Sequence, residues 1–214
     1  MAGVFITFEG LDHTGKSTQW RLLGDYLRQK HYDVLMTMEP GGSELGRAIR
    51  AVLLDPVRRP MDALTEAFLL MADRHYHVQY VIRPALEAGR VVLCDRYVDS
   101  TVAYQGYGGG LDLGLCDELN RTATGGLLPQ LTILLDTGSI DPLGVGDRPG
   151  DRIETRGDDY RRRVREGYLA LARSYPERIR VVAASQSPAA VHQAVVEEVE
   201  RVLGGAASTR GKIL

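Results

Sequence analysis

Near the N-terminus the residues Gly10-Leu11-Asp12-His13-Thr14-Gly15-Lys16-Ser17 follow the spacing GxxxxGK[ST]. Glycines at Gly10 and Gly15 allow backbone conformations that turn successive N–H groups toward one point. A helix opening near Lys16 adds its unpaired N–H groups and the positive end of its dipole. Such a cradle binds phosphate. Lys16 has the reach for the β- and γ-phosphates of a nucleoside triphosphate, and the Ser17 hydroxyl suits a Mg²⁺ ligand. Gly10, Leu11, Asp12, His13, Thr14, Gly15, Lys16, Ser17 and Thr18 are therefore the expected nucleotide site. The apolar run Val4 to Phe8 before the loop, and helical spacing at Trp20, Leu23 and Leu27 after it, supply the context that a chance glycine-rich turn lacks. His13 has no visible partner to tune it and reads as a solvent-facing side chain.

A second constellation is Val91-Val92-Leu93-Cys94-Asp95-Arg96-Tyr97. An apolar strand that ends in Asp can set a carboxylate, Asp95, beside the metal that Ser17 would hold, and Arg96 brings a cation to the same sheet edge. Further cations stand at Arg50, Arg74, Arg148 and Arg152. Arg74 falls among Phe68, Met71 and Val78 in a helical pattern, where a cation is costly without a partner, so a pocket role is expected. The stretch Gly144 to Arg152 has small residues at its bends and arginines to deliver, the composition of a lid spanning about 140–157. Charge in phosphoryl transfer spreads over the equatorial oxygens, so Lys16, Arg96, Arg148 and Arg152 are the expected catalytic groups.

These groups need a scaffold, and the chain alternates short β-rich runs with longer helical ones. Strands are expected at Val4–Phe8, Asp33–Met38, Val91–Cys94, Leu131–Leu135 and Ile179–Ala183. Helices are expected from Lys16 to Lys30, after an N-cap at Ser43, and from Met61 to Leu86 with apolar positions at Leu64, Phe68, Met71, Val78 and Ile82 and a break near Pro84. Others should span about Asp159 to Ser174 and Pro188 to Leu203. The predicted fold is α/β: a three-layer phosphate-loop architecture with a parallel five-stranded sheet flanked by helices, plus the lid. One domain over 1–204 is the economical division, with 205–214 expected to be a disordered tail.

Composition is that of an ordinary globular protein, 44% hydrophobic and 25% charged. A net charge of −2 argues against mainly electrostatic binding to nucleic acid or membrane, so any anion site must be local. No apolar stretch is long enough to span a bilayer, and the start runs into a strand without a cationic leader. Cys94 and Cys116 are far apart and read as packed thiols, which fits a cytoplasmic location.

Taken together, these residues resemble the bacterial thymidylate kinase family from Phe5 to about Leu203. The resemblance is carried by Phe8-Glu9-Gly10-Leu11-Asp12, Glu39-Pro40-Gly41-Gly42, Ala72-Asp73-Arg74, Ile82-Arg83-Pro84-Ala85-Leu86, Asp95-Arg96-Tyr97, Ser100 to Gly106, and Asp151-Arg152-Ile153-Glu154. It implies transfer of the ATP γ-phosphoryl group to dTMP, with Mg²⁺, by a homodimer packed through long helices. It also implies that Asp12 bonds the 3′-hydroxyl and that Arg50 and Arg96 hold the acceptor phosphate. Arg74, Ser100, Thr101 and Gln105 would frame the polar edge of thymine, and Tyr104 would lie against the sugar. Glu39 and Leu70 complete the expected acceptor site.

The chain departs from the family pattern at His13, Met38 and Leu70. Leu70 stands where the family carries an aromatic ring against the base. Two other readings therefore stay open. One is a kinase for a modified pyrimidine monophosphate or a free deoxynucleoside, with Glu39 as the base for a 5′-hydroxyl. The other is a catalytically weakened nucleotide-binding relative.

Overall fold

Five runs of β-branched and apolar residues form strands: β1 (Val4–Glu9), β2 (Val34–Met38), β3 (Val91–Asp95), β4 (Leu131–Asp136) and β5 (Ile179–Ala183). In the computed structural model, which describes residues 3–55, 57, 61–140, 152–153 and 155–208, they make one sheet in the order β2-β3-β1-β4-β5. Every pairing is parallel. The register aligns Phe8 with Asp95 and Met38 with Asp95, so the C-terminal ends of β1, β2 and β3 finish side by side. That alignment brings the two motifs of the sequence to one sheet edge.

Side chains alternate between faces along a strand, and β1 shows both layers this builds. Ile6 and Phe8 pack with Leu23 and Leu27 of α1 (Lys16–Gln29) and with Val191, Val195 and Val199 of α8 (Pro188–Ser208). Phe5 points the other way, against Val78, Ile82, Tyr97 and Val98. A third cluster seats α7 (Gly157–Ser174) through Tyr160, Val164 and Tyr168 against Leu11, Ala103, Tyr104 and Leu134. The expected three-layer parallel α/β fold is therefore present.

Ser43 caps α2 (Glu44–Leu54) as expected, its Oγ accepting the Gly46 N–H at 2.9 Å. The long helical run differs from expectation. It begins as α3 (Ala63–His77), widens into a π-helical turn over Val78–Ile82, and continues as α4 (Arg83–Glu87). Within the widened turn the Arg83 N–H reaches back five residues to the Val78 carbonyl. Pro84 lies in the first turn of α4, where its missing N–H costs least.

The face of α3 is also corrected. Leu64 and Phe68, two of the apolar positions of the helical pattern, are exposed, at 38% and 57%. The buried residues are Glu66, Ala67, Met71, Asp73, Arg74 and His77.

After β3 come α5 (Val98–Thr101), a second π-helical segment over Val102–Gly108, and α6 (Leu113–Thr124). At the other end, α8 continues to Ser208, so the backbone stays helical past the expected start of a tail at 205, while 209–214 lie outside the described residues. Most of the expected lid, 141–151 and 154, also lies outside them.

Candidate active site

The phosphate loop starts where β1 ends. Gly10 has φ +136°, and a Cβ there would sit 2.4 Å from the Leu135 carbonyl oxygen, so neither torsion nor space admits a side chain. Leu11 turns inward to pack beside Ala103 and Tyr104. Its carbonyl accepts from Thr14 Oγ1 at 2.9 Å and Lys16 Nζ at 2.6 Å, tying the loop to itself. Gly15 is the N-cap of α1 at φ 87°, and no side chain caps that end. The first-turn N–H groups are thus left for an anion.

Asp12, His13, Gly15, Lys16, Ser17 and Thr18 line one open cleft with Asp95 and Arg96. His13, expected to face solvent, is half-buried on this wall with φ 62°, a left-handed backbone that only a few per cent of non-glycine residues adopt.

Electrostatics in this cleft follow from its cations. Burial, and next the Arg96 charge, lower the Lys16 ammonium to about 8, against the opposing pull of Asp12 and Asp95. Asp95 Oδ1 is buried and, among the described residues, has no hydrogen-bond partner. A carboxylate oxygen wanting a partner, in one cleft with the Ser17 hydroxyl, is the hard-oxygen donor set Mg²⁺ favours. Among the described residues no group of three or more His, Cys, Asp or Glu forms a ready cage.

Beside this cleft lies a second pocket. All ten residues expected from the sequence to hold the acceptor line it: Asp12, Glu39, Arg50, Leu70, Arg74, Arg96, Ser100, Thr101, Tyr104 and Gln105. Leu53, Leu54 and Ile153 add apolar wall. Arg74 does have the partner its burial demands. At 1% exposure, its Nε donates to Glu39 Oε2 at 2.7 Å, Nη1 to Thr101 Oγ1 at 2.9 Å and to Asn120 Oδ1, and Nη2 to the Tyr97 carbonyl at 3.0 Å. Among the described residues these oxygens take four of the five guanidinium N–H donors, leaving one on Nη2. Glu39 is in turn held by His77 Nδ1 at 2.9 Å, and His77 Nε2 meets Thr37 Oγ1 at 2.7 Å.

The two spaces meet. Asp12, Glu39, Arg50, Leu54 and Arg96 belong to the walls of both. Arg96 is fixed at this junction with φ 69°. Its Nη1 donates to the Gly10 carbonyl, Ser100 Oγ and Tyr168 OH at 3.1 to 3.3 Å, and its Nη2 to Asp12 Oδ1 at 2.5 Å and Tyr104 OH at 3.1 Å. Burial alone would raise the Asp12 carboxyl, but Arg96 and then Lys16 outweigh it and hold it well below the usual carboxylate range. Arg50 reaches the junction from α2, with Nη1 on the Pro40 carbonyl at 2.9 Å.

Of the two lid arginines expected to be catalytic, the structure describes one. Arg148 lies outside the described residues. Arg152 is not on the wall of the phosphate cleft. Its Nη1 pairs with Glu66 at 2.7 Å and its Nε donates to the Leu53 carbonyl at 2.9 Å.

Several groups that shape the site carry little or no signal in the sequence. Glu9 accepts from the Tyr97 N–H at 2.8 Å, Ser100 Oγ at 2.6 Å and Tyr168 OH at 2.7 Å. Asn120 clamps Arg74 and donates to the Val98 carbonyl at 3.1 Å. Glu66 and His77 were visible as polar residues in an otherwise apolar helix, the same signal that singled out Arg74. Asn120 and Tyr168 carried no local signal, because they meet the site only through the fold.

Comparison with known proteins places this geometry. The thymidylate kinase family model matches residues 8–195. The thymidylate kinase of Symbiobacterium thermophilum is 48% identical over 203 residues, covering 94% of each chain. That of Pelotomaculum thermopropionicum is 45% identical over 206 residues, covering 95% of each. A solved structure of thymidylate kinase from Ehrlichia chaffeensis superposes with a TM-score of 0.77 at 33% identity, covering 94% of this chain and 100% of that one.

Proposed function

The chain belongs to the thymidylate kinase family and is a nucleoside monophosphate kinase that phosphorylates dTMP; we propose the following division of labour among its residues. ATP is the donor, with its phosphates on the loop from Gly10 to Thr18, and dTMP fills the adjoining pocket. The observation that supports this most is the junction, where Asp12, Arg50 and Arg96 border both spaces. Donor and acceptor phosphates can be brought together there.

The acceptor is an ionised phosphate oxygen, so the reaction needs positioning and charge neutralisation rather than a general base. Arg50 and Arg96 hold the acceptor phosphate, Lys16 meets the β- and γ-phosphates, and Asp12 orients both Arg96 and the sugar. Arg74 offers its remaining N–H to the base, beside Thr101 and Gln105, while Tyr104 and Leu70 line the ring and sugar. Mg²⁺, held through Ser17 and Asp95, would offset phosphate charge when bound.

The deoxynucleoside alternative asked Glu39 to act as a base. Glu39 is 2% exposed with one oxygen on Arg74 and the other on His77, a placement that favours holding Arg74 over acting as a base. We also propose a homodimer, supported by Leu64 and Phe68, which lie four residues apart on one exposed face of α3. A cytoplasmic location is supported by the free, buried Cys94 and Cys116. Among the described residues no helix is long and apolar enough to cross a membrane.

The direct test is ADP release from ATP and Mg²⁺ with dTMP, thymidine or other monophosphates as acceptor. Turnover with dTMP and none with thymidine is expected. No turnover of dTMP across a range of concentrations would refute the reading.

A further inference from the structure

Glu66 has no part in the roles assigned above, yet it lies on α3 with no exposed surface and three side chains converge on it. Its Oε1 takes Arg152 Nη1 at 2.7 Å and also Arg156 Nη2. Its Oε2 takes Gln105 Nε2 at 3.0 Å. Gln105 is 2% exposed and lines the acceptor pocket. The other end of its amide, Oε1, is buried with no hydrogen-bond partner among the described residues.

A primary amide can be turned either way round without changing its shape, so its polarity must come from its partners. Here the partner decides. A carboxylate facing two guanidinium groups is an acceptor only, and it can bond Gln105 only through the NH₂ group. The amide oxygen is then the end turned away from Glu66, on a residue of the pocket wall, and a buried oxygen without a partner calls for an N–H. Thymine and uracil carry a hydrogen on N3. Cytosine carries a lone pair there, which would face the amide oxygen lone pair to lone pair.

We propose that Glu66 is a positioning residue that sets the polarity of Gln105, so that the pocket accepts pyrimidine monophosphates bearing an N3–H and rejects those with a bare N3. This rests on the dTMP reading and deepens it, by locating one source of base selection outside the pocket wall. Arg152 and Arg156 act at one further remove, by keeping position 66 an acceptor.

The test compares kcat/KM for dTMP, dUMP and dCMP in the wild type and in Glu66→Gln, whose amide can donate or accept and so lets Gln105 turn over. The wild type is expected to prefer dTMP to dCMP by at least about 10³-fold. Glu66→Gln should lower that preference at least about 10-fold while leaving dTMP over dUMP within about 2-fold, since the two differ only in a methyl group the amide does not read. A merely structural role would depress all three acceptors together. Should the single variant not fold, Glu66→Gln/Arg156→Gln, which also removes a cation stranded by the change, carries the same expectation. A dTMP-over-dCMP ratio within about 3-fold of wild type, in a variant that still turns over dTMP, overturns the proposal alone. Absence of dTMP turnover in the wild type overturns the functional reading and this proposal with it.

Discussion

Replacing Glu39 by Gln changes one charge and almost no volume, in the buried cluster that holds Arg74. Glu39 and Arg74 are 2% and 1% exposed, and the carboxylate takes Arg74 Nε at 2.7 Å and His77 Nδ1 at 2.9 Å. Outright removal of one partner from a buried ion pair costs about 3–5 kcal/mol, because the other charge is left uncompensated. Gln keeps an oxygen for the Arg74 Nε–H, and the Thr101, Asn120 and Tyr97 oxygens remain around the guanidinium, but all of them are neutral. The expected loss is therefore smaller, about 2–3 kcal/mol. In a protein of this size 1 kcal/mol moves the melting temperature by about 2–4 °C, so Glu39→Gln should melt about 4–12 °C lower.

Kinetics of the same variant separate two roles. A general base at Glu39 would make Gln lower kcat by about 10²–10⁴ and erase the acidic limb of the pH–rate profile. A support for Arg74 predicts a higher KM for dTMP, little change in kcat at temperatures where the variant is folded, and an unchanged profile. Differential scanning fluorimetry and steady-state assays across pH give both readouts. A melting temperature unchanged within about 1 °C, or a lost acidic limb, would refute the reasoning.

Other perturbations follow from the same geometry. Burial and Arg96 lower Lys16 to about 8 in the nucleotide-free protein, and ATP phosphates favour its cation, so ATP binding above pH 8 should take up a proton. Calorimetry at about pH 8.5 in buffers of different ionisation enthalpy should detect it, and no buffer dependence would count against this role for Lys16. Leu70→Phe puts a ring on the pocket wall and should lower the KM for dTMP by about 2–10-fold, the equivalent of about 0.5–1.5 kcal/mol; an unchanged or higher KM would show that the ring does not reach the base. Burial, and next Asp99, raise Glu9 to about 7 from its ordinary 4.5. Between those values the unfolded chain gives up this proton before the folded one does, so stability should decline as pH rises from about 4.5 to about 7. Glu9→Gln cannot titrate and should flatten that decline, read as urea midpoints at about pH 5 and 7.

How far the site is legible in the sequence depends on how local its chemistry is. Gly10 to Ser17 is readable because strand, loop and helix end are contiguous, and one loop makes the anion cradle by itself. Asp95 and Arg96 are readable because an apolar run that stops on a carboxylate is itself a local pattern. The strand order that sets Phe8 beside Asp95 has no such pattern, since parallel neighbours are chosen by tertiary packing. Nor do the π-helical turns, whose extra residue per turn leaves no distinct hydrophobic period. The acceptor residues were named through a family resemblance, and all ten then proved to share one pocket wall.

The misread face of α3 shows how a site disguises its own helix. Periodicity assumes that the apolar stripe is the buried one. On α3 the inward stripe instead carries Glu66, Asp73, Arg74 and His77, while Leu64 and Phe68 face outward. Three of these inward groups are answered by neighbouring elements: Glu66 meets Arg152 and Arg156, and Arg74 and His77 meet Glu39 on the adjoining loop, while both carboxylate oxygens of Asp73 are buried without a hydrogen-bond partner among the described residues. A helix that turns its charges inward has less to gain from burial and more to gain from holding those charges in one geometry. Of these residues Arg74 lines the pocket itself, while Glu66 and His77 bond the pocket residues Gln105 and Glu39. Leu64 and Phe68, left outside such a helix, form the apolar face on which the proposed second subunit would sit.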